Sequence, residues 1–426
     1  MPSALEENME SVETIKENEF LEFYNSRTYN ANCFNEDGSL NKNYNSFKTT
    51  GVIASIFEDH WESTYLANKD IIDKCRPNAF DEIQKIVDCY NKNLGCSFYE
   101  CPNCHDIIFV GHTCKSRFCS SCGYKYKNDR VEFILQTAYN CNHRQIVFTI
   151  PEQLGSYFFF PFESRINILF KAVRNTIYSI LNEYFKRNKK GILKKYSSKT
   201  KYTPGFFAFL HTFGRDLKWN PHIHILIAEL KLGNNNSCIE WKFFDYDALS
   251  KRFQHILLKL LSNELGKSFS KMKKFLYSNY PNGFYVYAEP KKFKDFKSGV
   301  EYVTRYCGRV PISENRIVKY DGNNVTFSYI DHSDNKYYEV TVSASKFIMI
   351  LLRHLLPSQF KIIRYYGFYR KKHSLHSTMI PLIKHHCRNF RKSLLKHQAS
   401  ILLNFNRDPY NCPKCDTKMN FVLCIN

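Results

Sequence analysis

The chain has 426 residues and a mass of 50.5 kDa, which allows two to four domains of about 100–200 residues, each with a real core. An apolar fraction of 43 % excludes a disordered chain, and no run approaches the roughly 18 consecutive apolar residues of a membrane span. Lys and Arg total 61 against 40 Asp and Glu, a formal charge of +21.

That charge is unevenly spread. Residues 1–95 carry 17 acidic and 9 basic side chains, net −8; the remaining 331 residues carry net +29. Such an asymmetry points to a polyanion, nucleic acid first, as partner of the larger part; the plain alternative is a basic solvated surface. The acidic start MPSALEENMESVETIKENEF has neither the basic nor the apolar part of a secretory signal. A cytoplasmic, nucleoid-associated protein is therefore expected, and its 16 cysteines read as metal ligands before disulfides.

In chain order, residues 1–65 form an acidic, Asn-rich segment expected to be loosely ordered. Residues 66–135 read as a helix plus a metal-binding module. Ile71, Ile72, Cys75, Ile83, Ile86 and Val87 recur at helical steps over 65–93, and a cysteine-dense loop region follows over 96–122. Residues 140–345 mix strands and helices. Strands are predicted over 145–150, 206–213, 222–230 and 285–288, and helices over 163–187 and 249–265. The stretch 186–201, with eight Lys/Arg, reads as an exposed basic loop. A short helix begins at Ser298 and stops at 308–311, and a hairpin joins 325–330 to 336–342. Residues 346–426 form a basic C-terminal region, with thirteen Lys/Arg and no acid over 346–407.

Cys101-Pro-Asn-Cys104 and Cys119-Ser-Ser-Cys122 are two Cys-x2-Cys knuckles separated by fourteen residues. Zinc takes four soft ligands in a tetrahedron, and two knuckles supply them, so a structural Zn²⁺ on Cys101, Cys104, Cys119 and Cys122 is expected. Cys89, Cys96, Cys114, His105 and His112 lie close by, which leaves the ligand choice and a second ion open. The alternative is a reduced cysteine-rich loop. Lys115, Arg117, Lys125, Lys127 and Arg130 surround the knuckles, placed for DNA phosphates. A further knuckle, Cys412-Pro-Lys-Cys415, has no obvious partner pair; Cys424 and Cys387 are candidates.

In the segment Trp219-Asn-Pro-His222-Ile-His224-Ile, side chains alternate along a strand. His222 and His224 therefore share one face, ~7 Å apart, and together can grip one divalent cation. The alternative is two satisfied sheet histidines. His211 lies across a hairpin through 214–220 and is the candidate third ligand, with Asp216 and Glu229 as rivals. Tyr302 and Tyr306 stand one helical turn apart in Glu301-Tyr302-Val-Thr-Arg305-Tyr306. Alone, they read as core packing. Beside a metal site in a basic protein they read as nucleophiles that attack a phosphodiester, with the metal's charge and Arg305 or a nearby lysine favouring the phenolate.

Together the pieces CYNKNLG…ECPNC (89–104), CKSRFCSSC (114–122), VFTIPEQL (147–154), PGFFAFLHTFGRDLKWNPHIHIL (204–226), YVTRYCGRVPISENRI (302–317) and LLRHLLPSQFKIIRYYGFY (351–369) resemble the two-tyrosine HUH (His-hydrophobic-His) transposases of rolling-circle insertion sequences. The resemblance implies an α+β fold: an HUH nuclease domain, an antiparallel sheet flanked by helices, preceded by the small cysteine-rich zinc module and followed by the basic tail. It implies that His222 and His224 hold Mg²⁺ or Mn²⁺, that Tyr302 and Tyr306 are the nucleophiles, and that no nucleotide cofactor is used. The implied partners are single-stranded DNA at transposon ends and target DNA, without a membrane; Lys115, Arg117, Arg305, Lys194 and Lys195 are the expected DNA contacts. The implied reaction nicks an element end through a 5′-phosphotyrosine and transfers the strand. An HUH replication initiator or relaxase, and a non-catalytic zinc-finger DNA-binding protein, are the competing functions.

Overall fold

The computed structural model describes residues 51–89, 94–181, 183–187, 193–197, 200–234, 237–241, 244–287, 298–300, 302, 311–331, 334–370 and 410–425. The first helix, α1 (Val52–Cys75), begins inside the segment expected to be loose. Its apolar stripe, Ile53, Ile56, Phe57 and Trp61, is buried, but interspersed Glu58, Asp59 and Glu62 dilute it in the sequence. Pro77 ends α1 and a second helix, α2 (Ala79–Val87), follows, so the single helix predicted over 65–93 is two. Arg76 at the break is buried under the Phe159 and Phe162 rings, 4.7 and 5.1 Å from their centroids. Its guanidinium donates to the Cys75 and Arg353 carbonyls at 2.6 and 2.7 Å. Burial lowers its pKa to about 10, so it stays charged.

The hairpin β1 (Cys96–Glu100) and β2 (Ile107–Gly111) leads to α3 (Ser120–Thr137), β3 (His143–Thr149) and α4 (Phe162–Leu181). The expected basic loop is instead a hairpin, β4 (Glu183–Arg187) with β5 (Leu193–Ser197), in which Tyr184 pairs with Tyr196 and Lys186 with Lys194. The ladder is made by backbone groups, so lysine content alone does not exclude strands. Lys194 and Lys195 lie on β5.

Two long strands follow, β6 (Tyr202–Phe213) and β7 (Trp219–Gly233), then the short β8 (Cys238–Glu240). Helix α5 (Tyr246–Leu265) is capped by the Asp245 carboxylate, which accepts from the Ala248 N–H at 3.0 Å. Helix α6 (Ser270–Asn279) and strand β9 (Val286–Tyr287) come next. A separate three-stranded sheet is formed by β10 (Ile317–Tyr320), β11 (Asn324–Ile330) and β12 (Tyr337–Ser343), the last two being the predicted hairpin. Then come α7 (Ala344–Leu352), β13 (Ile363–Gly367) and β14 (Asn420–Ile425).

The central sheet runs β13-β6-β7-β3-β9, with β8 on the end of β7, and these neighbours pair antiparallel. This is the expected α+β arrangement. Helices α4 and α5 cover one face, where the Phe148 and Phe253 rings meet at 5.2 Å. Helix α3 covers part of the other, where Phe133 meets Tyr365 at 6.0 Å. A second core joins α1, α2, Cys89, Cys119 and Cys122 to β11 and α7. Residues 346–370 are therefore not tail. Phe347, Ile348, Leu351 and Leu352 of α7 are buried, each contributing about 1.5–3 kcal/mol, and β13 is an edge of the central sheet. Edge closure needs glycine: Gly367 has φ +61°, and a Cβ there would come 1.5 Å from the Pro204 carbonyl oxygen.

Candidate active site and metal centres

The β6–β7 register places His211 directly opposite His222, with His224 two residues along and opposite Phe209. Because side chains alternate, all three imidazoles lie on the α3 face, and one ring nitrogen of each lies within 4.8 Å of the others. His211 and His224 are buried, 4 % and 8 % exposed, and His222 is half-buried. The rivals are engaged elsewhere. Glu229 accepts from Arg144 at 2.6 and 2.8 Å, and Asp216 pairs with Lys218 at 3.1 Å.

The tautomers suit a cation. Nδ1 of His222 lies 2.7 Å from the Asn220 carbonyl oxygen, which only accepts, so Nδ1 carries the proton and Nε2 presents its lone pair. Nδ1 of His224 lies 2.9 Å from the Gln145 amide nitrogen, while Gln145 Oε1 is buried without a partner. Turning that amide over lets Nδ1–H donate to Oε1 and leaves His224 Nε2 for an ion. Burial lowers the pKa of His222. It holds that of His224 well below the ordinary range, helped by His211 and His222. Both shifts favour the neutral ring, which is the ligand form. A three-nitrogen set with open positions fits a divalent cation.

Residues 298–300 and 302 are helical, and Tyr302 packs half-buried against the main core. Tyr306 and Arg305 lie outside the described residues.

The four cysteines expected to share one zinc do not meet. Cys119 and Cys122 join Cys89 and Cys114, whereas Cys101 and Cys104 join Cys412 and Cys415. The reason is local geometry: a Cys-x2-Cys turn aims two sulfurs at one point but says nothing about which second pair meets it. Helix α3, which starts at Ser120, carries the 119/122 pair into the core under α2, away from the β1–β2 tip that carries 101/104. In the first cluster Cys89–Cys122, Cys114–Cys122 and Cys89–Cys119 are 3.7, 3.5 and 3.9 Å apart at sulfur. A ZnS₄ tetrahedron with ~2.3 Å bonds has edges of about 3.8 Å, so the donor set fits structural zinc. Contacts with the Cys114, Cys122 and Cys89 thiols lower the Cys119 pKa. Cys89 and Cys114 were visible in the sequence only as neighbours of the knuckles.

Residues 205–376 match the family model described as "Putative transposase" (Y2_Tnp), and residues 56–150 match "Transposase zinc-binding domain" (Zn_Tnp_IS91). The chain is thus similar to transposases over its larger part, with the match to a transposase zinc-binding domain N-terminal to it. It is 25 % identical over 372 residues to the "Transposase for insertion sequence element IS801" of Pseudomonas savastanoi pv. phaseolicola, covering 81 % of this chain and 84 % of that one. It is 27 % identical over 341 residues to "Putative transposase y4qJ" of Sinorhizobium fredii (strain NBRC 101917 / NGR234), covering 74 % and 79 %. Among solved structures, the conjugative relaxase TrwC in complex with oriT DNA matches 40 % of this chain and 68 % of its own at 14 % identity. Its TM-score of 0.23 is too low to carry an argument. In this chain, the region matched first contains the three histidines and both tyrosines, and the zinc-domain region contains Cys89, Cys114, Cys119 and Cys122.

A groove of about 820 Å³ lies between α3 and the β13 edge. Arg117, Arg130, Lys361 and Arg364 line it with Tyr126 and Tyr365, and among the described residues no Asp or Glu does. Arg130 and Arg117 lie 4.9 and 5.7 Å from the Tyr126 ring centroid. Exposed Lys115 stands at its rim, while Arg117 also donates to the Phe360 carbonyl at 2.8 Å. Tyr365 pairs with Phe207, on the same sheet face as His211 and four residues before it, ~13 Å along β6. Lys115, Arg117 and Arg130 of this groove were singled out by sequence, and Lys361 and Arg364 lie in the basic stretch 346–407; the tyrosines beside them were not, because they come from α3 and the β13 region. Among the described residues, no helix is long and apolar enough to cross a membrane.

Proposed function

We propose that this chain is a transposase that nicks single-stranded DNA at the ends of its element and transfers the strand by rolling-circle transposition. The observation that carries this reading is the convergence of His211, His222 and His224 on adjacent strands, with His222 Nδ1 tied to a carbonyl. His211, His222 and His224 would hold a divalent cation, Mg²⁺ or Mn²⁺, which would supply positive charge to the scissile phosphate. The hydroxyl of Tyr302 or Tyr306 attacks phosphorus, the P–O3′ bond breaks, and the 3′ oxygen leaves with a proton. The 5′ phosphate stays on the tyrosine, and the second tyrosine serves the second strand exchange. A phenol of pKa ~10 is a weak nucleophile at neutral pH, so Arg305, one residue before Tyr306, favours the phenolate.

The cationic groove beside β13 is the path for the single strand. Its guanidinium groups meet phosphates and its tyrosines offer ring faces to bases. Lys115, Lys194 and Lys195 add sequence-independent phosphate contacts. The zinc-binding domain and the basic groove favour a transposase over an initiator or relaxase of the same chemistry. The test is to incubate the full chain with labelled single-stranded element ends and Mg²⁺ and look for a denaturant-stable protein–DNA adduct. The adduct is expected with the wild type and absent from Tyr302→Phe/Tyr306→Phe, which should still bind the DNA. An undiminished adduct in that double variant moves the nucleophile elsewhere among the 29 tyrosines and overturns the catalytic assignment.

A further inference from the structure

We propose that the chain binds a second structural zinc, on Cys101, Cys104, Cys412 and Cys415, and that this ion staples the end of the chain to the zinc-binding domain. The sulfurs of Cys101 and Cys415 lie 3.4 Å apart, those of Cys104 and Cys412 3.5 Å, and those of Cys104 and Cys415 3.6 Å. These separations are near the edges of a ZnS₄ tetrahedron and far from the ~2.05 Å of a disulfide.

The two halves are the same turn made twice. Cys101-Pro-Asn-Cys104-His105-Asp106 and Cys412-Pro-Lys-Cys415-Asp416-Thr417 share the Cys-Pro-x-Cys pattern. In each, the first cysteine N–H donates to the residue five on: Asp106 O at 2.8 Å and Thr417 O at 2.9 Å. In each, the residue after the second cysteine donates back to the first cysteine's carbonyl, at 3.0 and 2.9 Å. That residue is left-handed both times, His105 and Asp416 each at φ 55°. Such a turn aims two sulfurs at one point, and the Cys104 N–H already donates to Cys101 Sγ at 3.4 Å. Two such turns face each other, joined by Lys414 to Asp106 at 2.8 Å and by β14 lying antiparallel along β1.

Phe98, Ile107 and Leu423 are buried on one face of this ribbon; on the opposite face, which carries the four cysteines, the local core is small. Its buried cluster is Tyr99, Cys101, Ile108, Cys412 and Met419, so two of five members are the proposed ligands. Small modules with so little apolar surface depend on a metal or disulfides. The matched zinc-domain region, 56–150, therefore holds only half of this ribbon, and residues 410–425 supply the rest. The two pairs stand 311 residues apart at Cys104 and Cys415, and closing so long a loop removes many open states from the unfolded ensemble. The site stands or falls independently of the nuclease chemistry.

The test counts zinc in the full reduced chain, equilibrated with Mg²⁺, by elemental analysis, with X-ray absorption to identify the ligands. Two zinc per chain are expected, averaging four sulfurs at ~2.3 Å. Cys412→Ser/Cys415→Ser and Cys101→Ser/Cys104→Ser should each retain one. A wild-type measurement guards against a variant that does not fold: graded chelation should remove the ion at exposed Cys104 before the one on buried Cys89, Cys119 and Cys122. Tryptic cleavage at Lys414 and Lys418 should appear with that first equivalent. One zinc in the wild type, two retained in the Cys412/Cys415 variant, or continued protection of Lys414 and Lys418 after the first equivalent leaves would each overturn the staple.

Discussion

The histidine triad and the cysteine clusters are both candidate metal-ligand sets, but they are built differently. The histidines sit on two adjacent strands of a well-packed sheet and number three, leaving positions for a substrate oxygen. The cysteines sit on turns and number four per cluster, a closed shell that admits no substrate. The strands exist without any ion, because Ile223, Ile225 and Ile227 and the helices beneath them hold the sheet. The turns have less to hold them. Removing a histidine should therefore cost chemistry and leave the fold, whereas removing a cysteine should cost fold.

The sharpest break of that contrast is a paired substitution. His224→Ala should lower metal-dependent cleavage by more than the ~100-fold that loss of an outer partner costs, with the zinc content unchanged. Cys119→Ser/Cys122→Ser should lose one zinc and, with it, cooperative melting of the core shared by α1, α2 and α7. Equal loss of melting cooperativity in both variants would erase the distinction.

Next in size is a pH effect on the join between the two cores. His354 is buried, its ring nitrogens 3.2 Å from Thr212 Oγ1 and 3.0 Å from the Leu217 carbonyl, and burial lowers its pKa to about 4. The unfolded chain takes up that proton first, near pH ~6.5, so stability falls as pH drops from there toward 4. The loss approaches ~3 kcal/mol, and denaturant melts at pH 7 and pH 4.5 should show most of it. His354→Gln should flatten the dependence; an unchanged slope would discharge His354 from that role.

Gln145→Leu keeps the shape beside His224 and removes the hydrogen bond that sets its tautomer. Mn²⁺ affinity, measured by calorimetry, should fall ~10–100-fold, and unaltered affinity would show that the amide does not orient the ring. The smallest effect is in the groove. Arg130→Gln should reduce the slope of log K against log salt for single-stranded DNA by about one, uniformly across sequences. An unchanged slope would place the strand elsewhere.

Much of the candidate site was legible because strands and hairpins obey a two-residue period. Once His222 and His224 share a face, the turn after Phe213 sets the register that brings His211 opposite His222. Pairing between distant cysteines has no such rule. The repeated Cys-Pro-x-Cys turn at 101 and 412 was a signal, but only β14 beside β1 shows that the two meet. Charge averaging hid α7 and β13: the basic residues over 346–407 masked the apolar Phe347, Ile348, Leu351 and Leu352 among them. The gap at Tyr306 is of another kind, since it lies outside the described residues, and its role rests on its spacing from Tyr302.

The central claim is that His211, His222 and His224 bind one catalytic cation through their ring nitrogens, and spin-echo spectroscopy of Mn²⁺ bound to the zinc-loaded full chain tests it most directly. One Mn²⁺ per chain is expected, coupled to imidazole nitrogen, with the coupling weakened in His211→Ala and binding lost in His224→Ala while zinc is retained. Mn²⁺ bound without nitrogen coupling, or bound equally well by the His224→Ala protein, would contradict the account.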